Sequence, residues 1–356
     1  MKKHSFYSFL LLPVFFASSF AALPLSCSIS QPRDGGVFKS DNRGEVWQQK
    51  AAISNNRTIA ANNIQTITID PKDSKIIYLG MRAAGLYKSM DGAETWYSLV
   101  TRDSILNNSA NVYDIAVDPQ NTANVYAATY QDRYGRLFRS RDAGKTWEEV
   151  YRVSREKYAV FAVEVDPFNP STVYMATAEG GLLKSMDFGK SWTVISWFND
   201  VLTDLKINPH NGSEVYASTY SNGIYKTGDQ GRTWRKLDGL NSFSEANGVQ
   251  TLVMDNKNPN VLYTGSQTGL LKSSDGGNTW QRVPIVIPPN SIPIRAVALD
   301  PFASMSLYYS AGNVIYRSDD NGQSWTVHPI NTSRYIKIIT IDRSNSNVVY
   351  VGMSNE

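Results

Sequence analysis

Three observations predict an all-β fold for this chain of 356 residues, a β-propeller of seven four-stranded antiparallel blades. The first is a segment of the form Ser/Thr-x-Asp-x-Gly-x-Thr/Ser-Trp, whose closing Trp residues follow one another at intervals of 42 to 51 positions. The second is an alternation of apolar and polar residues in runs rich in Val, Ile and Tyr, which is typical of short strands. The third is the presence of four such runs per interval, as in a propeller blade.

Each blade is predicted to begin with an inner strand that ends at an Asp-Pro corner, as in "IAVDP" at 115–119. A second strand follows, as in "VYAAT" at 125–129, and a third precedes the recurring segment, as in "GLLKS" at 181–185. The fourth strand begins just after the Trp. Asp-Pro, Asn and Gly clusters separate the runs and are typical of turns, and no stretch keeps a helical period.

The two ends of the chain predict how the ring closes. The first two strands of a blade occur seven times, the last copy lying at 336–352. The last two strands begin with a copy at 35–49 that has no partner strands before it. We therefore expect the N-terminal pair to complete the C-terminal blade, which removes exposed sheet edges. The domains are then a leader (1–26), a short linker (27–34) and the propeller (35–356).

The recurring segment has the chemistry of a turn, because its Asp can accept backbone N–H groups and its Gly can supply a positive φ. It resembles the Asp-box, or BNR, repeat of sialidases, the sortilin propeller, xyloglucanases and photosystem II assembly factors. In that family the box joins the two outer strands of a blade. We expect structural roles for the box carboxylates and burial of the box Trp rings between blades. These carboxylates belong to Asp91, Asp142, Asp187, Asp229, Asp275 and Asp320.

Composition and charge are ordinary for a globular protein, with 42% hydrophobic residues, 19% charged residues and a formal net charge of +3. A charge so near neutral does not favour a nucleic-acid partner. The chain has three His and one Cys, and it lacks a phosphate-binding glycine loop of the GxxxxGK type. The sequence therefore predicts no metal site and no cofactor, and we expect a monomer.

The N-terminus predicts export. "MKKHSFYSFLLLPVFFASSFAA" has a basic start and an apolar run of leader length. The following "LPLSC" resembles a bacterial lipobox, although Pro24 and Leu25 depart from its usual residues. The resemblance implies that Cys27, the only cysteine, is lipidated and anchors the protein to a membrane, facing the periplasm, the cell surface or an equivalent space. The alternative is an ordinary leader cut near Ala21 or Ala22.

The sequence gives little support for catalysis. Sialidases have six blades, an arginine triad and a Tyr–Glu pair, whereas "IPIR" at 292–295 does not match their motif. Xyloglucanases draw their acid and base from two facing propellers, and this chain contains one. Asp114 and Asp204 occupy the same inner-strand position in two blades. They are candidates for the channel mouth, either as a glycosidase pair or, as we favour, as polar residues lining a solvated channel.

Loops on the face opposite the boxes vary most and are candidates for binding. "YQDRYGR" at 130–136 and "YRVSREKY" at 151–158 are expected to lie close together, with "SWFND" at 196–200 in the next connection. Arg, Tyr and Trp are enriched at interaction hot spots. The alternative is a solvated surface on which Asp132 and Glu156 neutralise part of the charge. The candidate binding residues are Tyr130, Arg133, Tyr134, Arg136, Arg152, Arg155, Tyr158 and Trp197.

These observations favour an exported, lipid-anchored and non-catalytic scaffold that binds a protein or a glycan. A carbohydrate-active protein, either a glycoside hydrolase or a sugar-binding module, is the first alternative. The second is a photosystem II assembly factor, which the chain resembles in blade number, length and leader. The "DPxNPxxVY" corners resemble those of xyloglucanases and sortilin more closely than those of photosystem II assembly factors.

Overall fold

The computed structural model describes residues 34–53, 57–102, 104–243 and 245–355, so the leader and Cys27 lie outside the described residues. Within these ranges the chain forms seven four-stranded antiparallel sheets, one short hairpin and one 3₁₀ helix, Asp238–Ser242. No helix in these ranges is long and apolar enough to span a membrane. The predicted all-β fold of seven blades is confirmed.

The blades are numbered here in chain order of their inner strands, and each runs from the channel outwards. Blade 1 consists of Ile64–Ile69, Ile77–Met81, Gly85–Ser89 and Tyr97–Ser98. Blade 2 consists of Asn111–Val117, Val125–Gln131, Tyr134–Ser140 and Glu148–Arg152. Blade 3 consists of Val160–Val165, Val173–Thr177, Gly181–Ser185 and Thr193–Trp197.

The next three blades repeat this plan. Blade 4 consists of Leu202–Asn208, Asn211–Thr219, Ile224–Thr227 and Arg235–Lys236. Blade 5 consists of Thr251–Met254, Leu262–Ser266, Gly269–Ser273 and Gln281–Arg282. Blade 6 consists of Val297–Leu299, Leu307–Ala311, Val314–Ser318 and Thr326–Pro329.

Blade 7 joins the two ends of the chain. Its inner strands are Tyr335–Ile341 and Val349–Ser354, and its outer strands are Val37–Ser40 and Gln48–Gln49. Val37 lies opposite Gly352 in the antiparallel register of this junction. The predicted closure by the N-terminal pair is therefore confirmed. The hairpin, Ala52–Ile53 with Arg57–Thr58, follows this pair.

A tyrosine on the second strand of each blade fills the space beside the next blade. In six blades its hydroxyl lies within hydrogen-bond distance of a backbone carbonyl in the next blade's box, as from Tyr126 to Phe188 at 3.1 Å. Burial of each ring stabilises the fold by about 2–3 kcal/mol. This repeated contact joins neighbouring blades. The seven buried tyrosines are Tyr78, Tyr126, Tyr174, Tyr216, Tyr263, Tyr308 and Tyr350.

The boxes have the turn geometry that the sequence predicts. Asp142 Oδ1 accepts from the Thr146 backbone N–H at 2.8 Å, and its Oδ2 accepts from the Thr146 hydroxyl at 2.7 Å. The Ser140 hydroxyl accepts from the N–H of Gly144, whose φ is +91°. These hydrogen bonds, above all that from the Thr146 hydroxyl, lower the pKa of Asp142 to about 2. The box carboxylate is therefore held as an anion by its own turn.

The box Trp rings are less buried than the sequence suggested. Trp96 and Trp280 are buried, but the other five keep part of their surface exposed. Trp192 packs edge-on against Tyr151 of blade 2, at 6.1 Å between ring centroids. The expectation of full burial is therefore wrong for most copies, because the ring lies along the rim of the blade, where one side meets water.

The two faces of the ring differ in the loops they carry. Each box lies beside the corner of its own blade, as where the N–H of Ala143 donates to the carbonyl of Ala123 at 2.9 Å. On the opposite face, loops between second and third strands meet the connections between blades, as where Lys157 N–H donates to Arg133 O at 2.8 Å. We call these the box face and the connection face.

Candidate binding site at the channel mouth

A channel runs between the inner strands from one face to the other. A cavity of about 440 Å³ opens at the connection face, and one of about 510 Å³ opens among the Asp-Pro corners of the box face. The two cavities share lining residues, among them Thr66, Asp114 and Lys206. The channel mouth is defined here as the cavity at the connection face.

One position, on the inner strand or within two residues before it, supplies a ring of side chains to this mouth. In every blade the residue five positions before the corner Asp or Asn lines the cavity. In blades 1, 2, 3, 4 and 7 the strand register shifts at this residue, which is a β-bulge. Bulges of this kind re-aim a side chain beside functional sites. The mouth ring consists of Gln65, Tyr113, Phe161, Thr203, Gln250, Arg295 and Lys337.

The cations of the mouth ring lie on neighbouring blades. Neither the Arg295 nor the Lys337 side chain makes an ion pair or hydrogen bond with another described residue. The Arg295 guanidinium stacks on the ring of Tyr335 at 4.5 Å. Burial, followed by the charge of Arg295, lowers the pKa of Lys337. This side of the mouth therefore carries two adjacent positive charges that are not neutralised.

Aromatic rings occupy another part of the mouth ring. Tyr113 and Phe161 pack edge to face, with centroids 4.7 Å apart. Tyr220, in the loop between the second and third strands of blade 4, also lines the cavity and is exposed. The mouth thus combines cationic, aromatic and amide side chains on a rigid frame.

An acidic cluster lies on the wall that faces the two cations. Lys206 Nζ donates to Asp204 Oδ1 at 2.7 Å and to the Leu205 carbonyl at 2.8 Å, and it lies 3.4 Å from Glu164 Oε1. Asp114 Oδ1 accepts from its neighbour's N–H at 2.8 Å, and its Oδ2 accepts from the Val163 N–H at 3.0 Å. The carboxylates therefore surround a single ammonium group.

The enclosed position of this cluster changes its protonation. Burial raises the pKa of Glu164 to about 7 and that of Asp114 to about 6, although the nearby ammonium group opposes both shifts. Although burial opposes it, the charges of Asp204, Glu164 and Asp114 raise the pKa of Lys206. The cluster therefore exchanges protons near neutral pH while Lys206 stays charged.

The structure brings Asp114 and Asp204 to the same cavity, as their shared strand position suggested. Both carboxylates are already used by the fold, one by backbone N–H groups and the other by Lys206. Their favoured role as polar residues lining a solvated channel and the alternative role as a glycosidase pair both remain predictions. Among the described residues, no group of three or more His, Cys, Asp or Glu side chains is placed to hold a metal ion.

The candidate loop arginines lie together, but acidic residues neutralise them. Arg136 is buried between Asp132 and Glu149, at 3.2 and 3.1 Å. Arg152 also pairs with Glu149, at 2.9 Å, and stacks over the ring of Tyr134. Arg136 was predicted to be an exposed loop residue. This prediction is wrong, because Arg136 lies in a strand and its guanidinium points inward.

The remaining candidates are more open. Arg133 pairs with Glu156 at 2.5 Å and Arg155 with Glu179 at 3.3 Å, and both guanidinium groups are largely exposed. Tyr130 and Tyr158 are half-buried. Trp197, at the end of the outer strand of blade 3, is exposed. Their role in binding remains a prediction.

The sequence is similar to that of two groups of proteins. The family model described as "Photosynthesis system II assembly factor YCF48" matches residues 220–356. The oligoxyloglucan-reducing end-specific xyloglucanase of Emericella nidulans is 27% identical over 158 residues, which are 42% of this chain and 19% of the relative. The xyloglucanase of Hypocrea jecorina is 29% identical over 149 residues, 37% of this chain and 17% of the relative. The chain thus matches less than a fifth of the length of these curated relatives.

Solved structures of both groups share the fold. The GH74 xyloglucanase of Xanthomonas campestris has a TM-score of 0.67 at 16% identity, covering 82% of this chain and 51% of that one. YCF48 from Cyanidioschyzon merolae has a TM-score of 0.65 at 16% identity, covering 82% and 95%. A structure of YCF48 bound to D1 peptide has a TM-score of 0.62 at 15% identity, covering 82% and 93%.

The seven blades and the box geometry confirm the propeller with Asp-box turns that the repeats indicated, and the similarities agree with the predicted resemblance to xyloglucanases and photosystem II assembly factors. The chain is a seven-bladed propeller with Asp-box turns, which is similar in sequence over part of its length to YCF48 assembly factors and to xyloglucanases.

Proposed function

We propose that this protein is an exported, lipid-anchored, non-catalytic scaffold that binds a segment of a partner protein at its connection face. The observation that carries the proposal is the channel mouth, where Arg295 and Lys337 have no acidic partner among the described residues and Tyr220 is exposed. Exposed aromatic and Arg side chains on a rigid frame are typical of interaction surfaces. The box face differs, because its box and corner carboxylates accept hydrogen bonds from their own turns.

The similarities support a protein partner. The YCF48 model matches residues 220–356, which include blades 5 and 6, the two inner strands of blade 7 and both mouth cations. A YCF48 propeller of similar fold has been solved bound to a D1 peptide. A propeller that receives a peptide in this way needs an open face and fixed side chains, and the mouth ring supplies both.

Two features of the chain support the remaining parts of the proposal. Asp114 and Asp204 are held by backbone N–H groups and by Lys206, so they serve the fold without a substrate. The apolar N-terminal run followed by "LPLSC" favours export and lipidation at Cys27. A protein anchored in this way would hold its partner at a membrane surface.

Affinity capture with the full-length protein tests the binding face. Trp197→Ala with Tyr220→Ala removes exposed rings from the connection face, where the side chains are 58% and 65% exposed. Phe168→Ala with Met186→Ala is the matched control on the box face, where exposure is 56% and 69%. We expect the first pair to lose a partner that wild type and the control retain. Loss with the control pair alone, or retention by both variants, would contradict the proposal.

A carbohydrate-active protein is the second candidate, favoured by the xyloglucanase relatives and by the raised pKa of Asp114 and Glu164. Carboxyl groups with such values are suited to donate a proton near neutral pH. Release of reducing sugar from xyloglucan by wild type, and its loss in Asp114→Asn, would favour this candidate over the scaffold.

A further inference from the structure

We infer that Arg295 and Lys337 form a carboxylate-binding site, which takes an acidic group of a peptide segment while the apolar part of that segment enters the channel mouth. This inference rests on the proposed protein-binding function and names the chemistry that the partner must present. It concerns blades 6 and 7, away from the loop arginines of blade 2.

The placement of the two cations is the first reason. Both occupy the same mouth-ring position in adjacent blades and line one cavity. Lys206, which also lines this cavity, has Asp204 within 2.7 Å and Glu164 within 3.4 Å. Arg295 and Lys337 have no such partner among the described residues. Adjacent like charges raise the free energy of an enclosed site, and an anion bound between them removes that cost.

The donor chemistry selects a carboxylate. A guanidinium presents parallel N–H groups that match the two oxygens of a carboxylate, and an ammonium adds further donors. Stacking on Tyr335 keeps the guanidinium of Arg295 in place without neutralising it. Enclosure by the cavity wall strengthens the attraction relative to open water.

The rest of the cavity favours a peptide over a sugar acid. Phe161 and Ile338 line the cavity and are only partly buried, so they supply apolar surface, which suits an aliphatic side chain better than a ring of hydroxyl groups. The carboxylates of Asp114 and Asp204 line the same cavity and repel a second acidic group. A single carboxylate beside an apolar residue fits this arrangement, whether it is a chain terminus or a glutamate side chain.

Three short peptides distinguish these sources by calorimetric titration of the full-length protein. The probes are acetyl-Ala-Ala-Leu as the free acid, the same peptide as its amide, and acetyl-Ala-Glu-Leu-amide. We expect at least one acid-bearing peptide to bind about tenfold or more tightly than the uncharged amide, the usual effect of a charge-assisted hydrogen bond. The better of the two acids identifies the terminus or the side chain as the source.

Variants assign the binding to the two cations. Arg295→Gln and Lys337→Gln should each weaken the acid peptide about tenfold, and Lys337→Arg should restore most of its binding. Lys190→Gln, an exposed lysine in the box of blade 3, is the control and should change nothing. Melting temperatures measured alongside show whether each variant is folded.

Equal binding of acid and amide peptides, or full binding by the folded double glutamine variant, would overturn the site. Tighter binding of glucuronic acid than of any peptide would overturn the peptide assignment. These outcomes are separable from failure of the proposed function. If the connection face captures a partner but acids bind no better than the amide, only the carboxylate site fails. If acids bind through both cations but no protein depends on the face, the scaffold proposal fails.

Discussion

Lys206 is the positive charge around which the acidic wall of the channel is built, and Lys206→Met removes it while keeping a side chain of similar length. In the wild type Nζ lies 2.7 Å from Asp204 and 3.4 Å from Glu164. Breaking a buried ion pair by removing one partner costs about 3–5 kcal/mol. Here the ion-paired side chains keep about a third of their surface exposed (28–32%), so water offsets part of that cost. We expect a loss of about 2–3 kcal/mol in the free energy of unfolding at pH 8.5.

The loss should depend on pH, and its sign follows from the two raised pKa values. Glu164 titrates near 7 and Asp114 near 6 in the folded protein, above the usual values of about 4.5 and 3.8. The folded state therefore keeps protons that the unfolded chain has already released, so these groups destabilise the fold as pH rises through this window. Without Lys206 both pKa values should rise further. The variant should then lose more stability at pH 8.5 than at pH 5.

Urea unfolding at pH 5 and pH 8.5 measures this difference. The double variant Lys206→Met with Glu164→Gln should recover part of the loss at pH 8.5, since one unpaired carboxylate is gone. Lys190→Met, at an exposed box position, should match wild type at both pH values. An equal loss at the two pH values, with no recovery in the double variant, would refute the electrostatic explanation and leave only a packing effect.

Three further predictions concern the box, the anchor and the ring closure. Trp96→Ala should lower the free energy of unfolding by about 3–5 kcal/mol because its ring is buried. Trp192→Ala should lower it by about 1–3 kcal/mol because its ring is half-buried. Equal urea midpoints for the two variants would contradict this order. Cys27→Ser should release the protein from the membrane fraction. Unchanged fractionation, together with a wild-type N-terminus that carries no acyl mass, would contradict lipidation. Deleting 35–50 should abolish cooperative melting by removing two strands of blade 7; an unchanged transition would mean that closure does not depend on them.

The architecture could be predicted from the sequence because local chemistry determines it. Every box contains the residues of its own turn: a Ser or Thr hydroxyl, an Asp (Asn42 in the first copy) that accepts backbone N–H groups and, in most copies, a Gly at positive φ, as at Gly144. These interactions lie within a few residues of one another, so the pattern alone indicates them. Counting strand pairs then predicted the closure of blade 7. The outer pair at 35–49 lacks inner strands and the last inner pair lacks outer strands, so the two pairs complete one blade.

Burial of individual side chains could not be predicted in the same way. Arg136 and Arg133 lie three residues apart in one charged segment, yet the first is buried against Glu149 and the second is exposed. Which side of a strand meets the neighbouring blade depends on twist and on the next blade's side chains. The box Trp rings show the same limit, because Trp96 is covered by the segment after the N-terminal strands and Trp192 is not.

The mouth ring is predictable from the sequence in its position but not in its role. Its backbone position is constant, five residues before each corner, and could have been read from the sequence by aligning the blades on that corner. Its side chains differ from blade to blade, from Gln65 to Phe161 to Lys337. A position that all seven blades direct to the same cavity, but with different residues, is free of the packing demands that keep the box uniform. That freedom lets one stable ring carry charge on one side of its mouth and aromatic rings on another, so the binding chemistry proposed here lies at a position where the residue type changes from blade to blade.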